Sequence, residues 1–251
     1  MAGLSLRPLA GIPEIGDGDD LAAVIAAALA PTPAAGLVVA IAHTVVSKAE
    51  GAIVELATVR PEERARALAA EQGKDPRLIQ VVLDQSVELL RAERGVLICR
   101  TRQGFVCANA GVDVSNAGGA DRAIVLPVDP DRSARELRAR LGELTGAPPP
   151  AVMITDSFGR AWRHGQVDVA IGLAGLAPLD DWRGRTDADG VGLQATWLAV
   201  ADAAAAAADL ARAKDSREPV VAIEGLERFV SGEDGPGAGA LLRAAAEDLF
   251  L

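Results

Sequence analysis

Two short segments hold the residues whose types and spacing could do chemistry. One runs Gly104-Phe105-Val106-Cys107-Ala108-Asn109-Ala110-Gly111-Val112-Asp113-Val114-Ser115-Asn116, the other Ile154-Thr155-Asp156-Ser157-Phe158-Gly159-Arg160-Ala161-Trp162-Arg163. Each sets a carboxylate beside hydroxyl or amide residues and glycine, just after an apolar run. A strand end built this way presents oxygen ligands to a hard cation, and Mg²⁺ and Mn²⁺ prefer such oxygens. Asp113 and Asp156 are the candidate metal carboxylates, and Ser157 can add a hydroxyl. Arg160 and Arg163 supply planar forks suited to phosphate or carboxylate. Acidic residues next to arginines suggest a metal-bound nucleoside triphosphate. Each segment also has a plainer reading: Asp113 and Asn116 as Asx turns, Asp156 as a turn or helix cap.

A third segment, His43-Thr44-Val45-Val46-Ser47-Lys48-Ala49-Glu50-Gly51, leaves an apolar run. A lysine held there can meet a phosphate as a compact point charge; the alternative is a solvated turn lysine. His43 and His164 are the two histidines and share no ligand spacing. The chain has no Walker A sequence, no G-x-G-x-x-G after a strand, no G-x-S-x-G and no zinc-type cysteine spacing.

The elements that must carry these segments read as a mixture of strands and helices without clean alternation, which predicts an α+β fold rather than a Rossmann or TIM fold. After an N-terminal strand and a turn over Pro8 to Asp20, a helix is expected from Leu21 to Leu29, capped by Asp19 and Asp20. Pro31 to Ala35 reads as a loop and Leu37 to Ile41 as a buried strand. Val45 to Leu56 is expected to pass through a polar turn into another strand. Helices are expected from Pro61 to Gly73 and from Pro76 to Glu93. Val96 to Arg100 and Phe105 to Asn109 read as a hairpin across Gln103-Gly104. Then follow a strand at Ala123 to Leu126, a helix at Asp131 to Thr145 capped by Asp131 or Ser133, and strands at Val152 to Thr155 and Val167 to Leu173. The longest helix is expected at Leu193 to Ala213, a last strand at Val220 to Ile223, and a closing helix at Ala240 to Leu249 after a glycine-rich loop.

Composition narrows the function. Half of the 251 residues are hydrophobic but only 3% are aromatic, with no tyrosine, so Ala, Val, Leu and Ile must build the core. The net charge of −10 lacks the basic footprint that nucleic acid or an anionic membrane surface requires. Cys99 and Cys107 lie in apolar contexts, and no signal sequence or long apolar run occurs, which predicts reduced cysteines and a cytoplasmic protein. Only three lysines occur, so Lys48 inside a glycine-containing motif stands out.

These motifs, in this order, resemble the γ-glutamyl ligases of coenzyme F420 biosynthesis. The resemblance runs from about Leu9 to Val230 and is carried by Val46-Ser47-Lys48-Ala49-Glu50-Gly51, Cys107 to Asn116, Pro127-Val128-Asp129-Pro130-Asp131 and Ile154 to Arg163. It implies a mixed-sheet, two-lobed fold over residues 1–251 and an intertwined homodimer. It implies a ligase that uses GTP to join L-glutamate to coenzyme F420-0 through an acyl phosphate, with Mg²⁺ or Mn²⁺, two ions per site, and a stimulating K⁺. By the same resemblance Asp113, Asp156 and Ser157 bind divalent metal. Asn116, Lys48, Thr44, His43 and the turn Ile12-Pro13-Glu14-Ile15 line the GTP site, and Lys48 and Arg160 offset phosphate charge during the reaction. His43 replaces a smaller or amide residue, Ser157 a threonine, and the match near Lys214-Asp215-Ser216 is weak. The nitroreductase-like domain that follows in many relatives is not expected here. Two other readings stay open: a non-catalytic nucleotide or deazaflavin binder, and a metal-dependent phosphohydrolase.

Overall fold

A computed structural model of the chain describes residues 3–29, 36–213 and 215–248. The chain begins with strand β1 (Ser5–Pro8) and helix α1 (Leu21–Leu29), then β2 (Val38–Ala42), α2 (His43–Ala49) and β3 (Ile53–Glu55). Helices α3 (Glu63–Gln72) and α4 (Pro76–Asp84) lead into β4 (Ser86–Glu93), β5 (Val96–Thr101), β6 (Val106–Ala108) and β7 (Arg122–Ile124). Helix α5 (Pro130–Thr145) precedes the hairpin β8 (Ala151–Arg160) and β9 (Arg163–Ala174). The last elements are β10 (Leu179–Asp181), β11 (Trp197–Ala199), α6 (Val200–Ala211) and β12 (Val220–Glu224).

Five strands form the central sheet in the order β1-β12-β2-β8-β9. Only β2 and β8 run parallel; the other neighbours are antiparallel. The sheet is mixed, and the α+β expectation holds. Strands β2, β8 and β12 read as continuous apolar runs because both their faces are covered. Val39, Ile41, Val152, Ile154 and Ile171 face α1 and α5. Val38, Ala40, Met153, Leu173 and Val221 face α6, which presents Ala201, Ala204, Ala205 and Ala208 at helical spacing. The methyl side chains let that helix lie close to the sheet. Asp202 ties it there by accepting a hydrogen bond from the Ala170 amide at 3.0 Å. On the other face Gly172 lets Pro130 sit directly on β9, where a Cβ would meet the Pro130 carbonyl.

The three-stranded sheet β4-β5-β6 packs with α3 and α4 around Ala65, Ile79, Val82, Leu97 and Cys99. The pair β3-β7 covers a further small cluster around Leu56 and Val81.

Several expectations are corrected. Residues 43–49 form a helix where a passage from Val45 into a polar turn is expected: Val45 and Val46 are buried against the core, and that packing outweighs their β-branched preference. The helix from Pro76 stops at Asp84, where the Ser86 hydroxyl donates to the Val82 carbonyl, and residues 86–93 pair with β5 instead. Asp129, not Asp131 or Ser133, caps α5 by accepting from the Arg132 amide. Asp131 instead accepts from the amides of Leu173 and Ala238, joining α5 to β9 and the C-terminal segment. The longest helix is α5, since residues 197–199 are a strand and α6 starts at Val200. The C-terminal segment forms 3₁₀ turns at Ala238–Leu241 and Ala245–Glu247 rather than a helix. The expected loop at Pro31 to Ala35, Lys214 and the end of the closing helix at Leu249 lie outside the described residues.

Candidate active site

The single parallel pair of the sheet decides where the site lies. Parallel neighbours open their carboxyl ends on one edge, and Ala42 stands in register with Thr155. The next residues, His43 and Asp156, therefore meet: His43 Nε2 lies 3.3 Å from Asp156 Oδ1. A crevice at the carboxyl ends of parallel strands is the recurrent ligand position in α/β sheets. Here it opens into a cavity of about 1090 Å³.

Five chain segments wall the cavity. The Ile12-Pro13-Glu14-Ile15 turn forms one side. Helix α2 contributes His43, Thr44 and Lys48, the last two one turn apart on one face. Lys48 is 6% exposed, and its Nζ donates to Glu14 Oε1 at 2.5 Å.

The segment after β6 supplies the third wall. Asn109, Ala110 and Gly111 all have positive φ, a left-handed turn that ends the strand and redirects the chain toward Asp113. Gly111 needs both its φ of +69° and its missing Cβ, which would lie 2.7 Å from the Leu126 side chain. Asp113 then accepts from the Ser115 amide at 2.7 Å and the Ser115 hydroxyl at 2.8 Å. The Asx-turn reading of Asp113 is thus present, and the same carboxylate lines the cavity. Asn116, at φ +54°, lines it too.

The fourth wall is the end of β8 with the facing part of β9. The pairing shifts between Ile154 and Thr155, so Ile154 faces Gly172 while Thr155 faces Ala170. Such bulges re-aim side chains beside active sites. Asp156 accepts from the Ser157 amide at 2.7 Å and is mostly buried. Asp168, 2% exposed, accepts from the hydroxyls of Thr155 at 2.8 Å and Ser157 at 2.6 Å. The fifth wall is Asp209 at the end of α6 with Arg212, Ala213, Asp215, Arg217, Glu218 and Pro219 beyond it. Arg212 forms an ion pair with Asp168 and donates to Thr155 Oγ1 at 2.9 Å and the Pro219 carbonyl at 3.1 Å.

Of the site residues expected from sequence, Ile12, Pro13, Glu14, Ile15, His43, Thr44, Lys48, Asp113, Asn116, Asp156 and Ser157 all line this one cavity. Arg160 does not. It lies at the exposed turn of the β8–β9 hairpin, where its Nη2 donates to the His164 carbonyl at 2.6 Å. Sequence reasoning missed Thr155, Asp168, Asp209, Arg212 and Arg217. The available signal was an aspartate inside Val167-Asp168-Val169-Ala170, a strand otherwise apolar. Glu50 lies away from the cavity, in a smaller one of about 230 Å³, bonded to the Ser133 hydroxyl.

The electrostatics are one-sided. Glu14, Asp113, Asp156, Asp168, Asp209, Asp215 and Glu218 line the cavity against Lys48, Arg212 and Arg217. Burial, reinforced by the nearby Asp156 charge, pushes the Cys107 thiol up to about 12, which disfavours the nucleophilic thiolate form. The donor set of carboxylates and hydroxyls suits a hard cation. Among the described residues no three His, Cys, Asp or Glu side chains gather to hold an ion by themselves.

A model of the F420-0:gamma-glutamyl ligase family matches residues 11–225. The chain is 44% identical to a coenzyme F420:L-glutamate ligase of Methanopyrus kandleri over the whole of both chains. It is 42% identical to the enzyme of that name from Methanothermobacter thermautotrophicus, over 99% of each chain. It is 41% identical to that of Natronomonas pharaonis, over 95% of this chain and 91% of the relative. The matched span contains every wall of the cavity, and the chain belongs to the F420-0:gamma-glutamyl ligase family.

Proposed function

We propose that this protein is a GTP-dependent ligase that joins L-glutamate to coenzyme F420-0 in coenzyme F420 biosynthesis. The observation that carries this reading is one cavity in a member of this family that gathers Lys48, Asp113, Asp156 and Ser157. A carboxylate and an amine do not condense unaided in water. The γ-phosphoryl group of GTP passes to the substrate carboxylate, with GDP leaving. The glutamate amine then attacks the acyl carbon, inorganic phosphate leaves and the amine loses a proton.

The chain's own groups place these partners and balance their charge. Lys48 meets a phosphate, breaking from Glu14 to do so. Thr44, Asn116 and the Ile12–Ile15 turn border the nucleotide. Asp113, Asp156 and Ser157 hold Mg²⁺ or Mn²⁺, two ions in this reading, which supply neutralisation of phosphate charge. The excess of carboxylates supports this, because GTP would otherwise meet a cavity of its own sign. K⁺ is a further cofactor of the reading. Arg160, outside the cavity lining, would reach the substrate only if the β8–β9 hairpin turn bent inward.

The homodimer is part of the same reading. Trp197, Leu198 and Val191 stand exposed around β10 and β11, apolar surface of the kind a second copy covers. Among the described residues no helix is long and apolar enough to cross a membrane. The test is to incubate the protein with GTP, Mn²⁺, L-glutamate and F420-0 and weigh the products. GTP turnover without glutamate would favour a phosphohydrolase, and nucleotide binding without turnover a binding protein.

A further inference from the structure

Asp168 and Arg212 form a buried ion pair in the cavity wall, with side chains 3% and 9% exposed. Removing two charges from water is costly, and an apolar pair of similar volume would hold β9 and the end of α6 together at least as well. The arrangement of bonds shows a different use. A carboxylate only accepts hydrogen bonds, so both hydroxyls that touch Asp168 must point their hydrogens at it. Asp168 Oδ2 is taken by Thr155 and Arg212, and Oδ1 by Ser157. The Ser157 hydrogen is therefore turned toward β9, and the acceptor side of its oxygen is turned away from Asp168. Asp156, next in the chain, borders the same cavity.

We propose that Asp168 is a positioning residue for the cation site: it orients the Ser157 hydroxyl as an oxygen ligand, and Arg212 holds Asp168 in place. The proposal rests on the reading of this cavity as a metal–GTP site. Partners behind a metal ligand of this kind are worth about 10- to 100-fold in metal affinity.

The change Asp168→Asn tests the orientation itself. An asparagine must turn its one oxygen to the Arg212 and Thr155 donors, which leaves its NH₂ group facing Ser157. Ser157 then accepts instead of donating, so one lone pair of its oxygen is taken by the amide and its hydrogen is released from Asp168's position, which weakens it as a cation ligand. Mn²⁺–GTP is titrated into the folded wild type and variants, and binding is read from water-proton relaxation, which needs no turnover. We expect binding about 10- to 100-fold weaker in Asp168→Asn, and ligation that recovers toward wild-type kcat as Mn²⁺ is raised. Ser157→Ala should show a similar loss, and the double variant little more. A folded Asp168→Asn with wild-type Mn²⁺–GTP affinity overturns the proposal, as does a kcat that no Mn²⁺ concentration restores. Should Asp168→Asn fail to fold, Ser157→Ala decides: wild-type affinity there removes the purpose of the orientation. Failure of the wild type to bind Mn²⁺–GTP would instead overturn the functional reading, and this proposal with it.

Discussion

At the scale of single residues the account rests on what each charge meets. Asp156 stands at the carboxyl end of β8, against His43 and beside Ser157. We predict that Asp156→Asn abolishes ligation and leaves the fold intact, because in the proposed reading it would remove a hard-cation ligand with almost no change of volume. Near-normal turnover at saturating Mn²⁺ with an unchanged melting curve would take Asp156 out of the metal site. Lys48 is buried yet bonded to an exposed carboxylate, a pairing a phosphate can displace. A charge-assisted contact of this kind is worth on the order of 1.5–3 kcal/mol. Lys48→Ala should therefore weaken GTP binding by about 10- to 100-fold and glutamate binding much less. Titration calorimetry with each ligand separates the two; a raised glutamate KM with unchanged GTP affinity would misplace Lys48. The cysteines give a simpler check. Cys99 and Cys107 face each other across β5 and β6, and burial pushes both thiols up, Cys107 to about 12. At pH 8 the native protein should react with a thiol reagent far more slowly than the protein in guanidinium. Mass spectrometry of the alkylated chain reads this directly.

At the scale of elements the site depends on a few backbone conformations. Gly111→Ala forces an L residue to φ +69° and drives a methyl to 2.7 Å from Leu126. Left-handed strain and overpacking together predict a loss of about 2–4 kcal/mol. Gly192→Ala, where a Cβ meets nothing, should stay within about 0.5 kcal/mol. Chemical denaturation of the two variants compares them. Asp202, which ties α6 to β9, has its carboxyl held above the usual value of 3.8 by burial. A raised folded value means that Asp202 contributes most below 3.8 and that this contribution is lost as pH climbs through the raised value. The melting temperature of Asp202→Asn relative to wild type should therefore rise between pH 3.5 and pH 7; a flat or falling difference contradicts it. The same elements show what could be read from sequence. The buried strands β2, β8 and β12 were legible because strands covered on both faces are continuous apolar runs. The helix α2 was not, since a seven-residue segment with two valines fits helix or strand equally until its burial is known. Strand β4 was missed because its pairing with β5 is a tertiary choice. Asp113 and Asp156 announced themselves as carboxylates after apolar runs. Asp168 and Arg212, 44 positions apart, join only through the fold. The placement of Arg160 hangs on the β8–β9 turn, where Trp162 takes φ +59° and Arg160 itself is absent from the cavity lining.

At the scale of the molecule, a chain of net charge −10 concentrates carboxylates in the very cavity to which the proposed function assigns an anionic nucleotide. In the proposed reading divalent ions would resolve that conflict without a basic surface, held by Asp113 and Asp156 from separate walls. If both serve one cluster, either loss dismantles the same unit and their effects do not add. Asp113→Asn with Asp156→Asn should then cost hardly more than the worse single change; fully additive free energies would mean independent sites. Sedimentation velocity should show a dimer, and a monomer at micromolar concentration would remove the partner copy from the account. The central claim, GTP-driven amide formation between F420-0 and L-glutamate, is tested most directly by mass spectrometry of a single reaction. Protein, Mn²⁺, GTP, glutamate and F420-0 are incubated together, with parallel reactions each lacking one component. The account predicts a deazaflavin product heavier by one glutamyl residue, formed with one GDP and one phosphate per bond, and only in the complete mixture. GTP consumed without glutamate, or F420-0 recovered unchanged from the complete mixture, would contradict it.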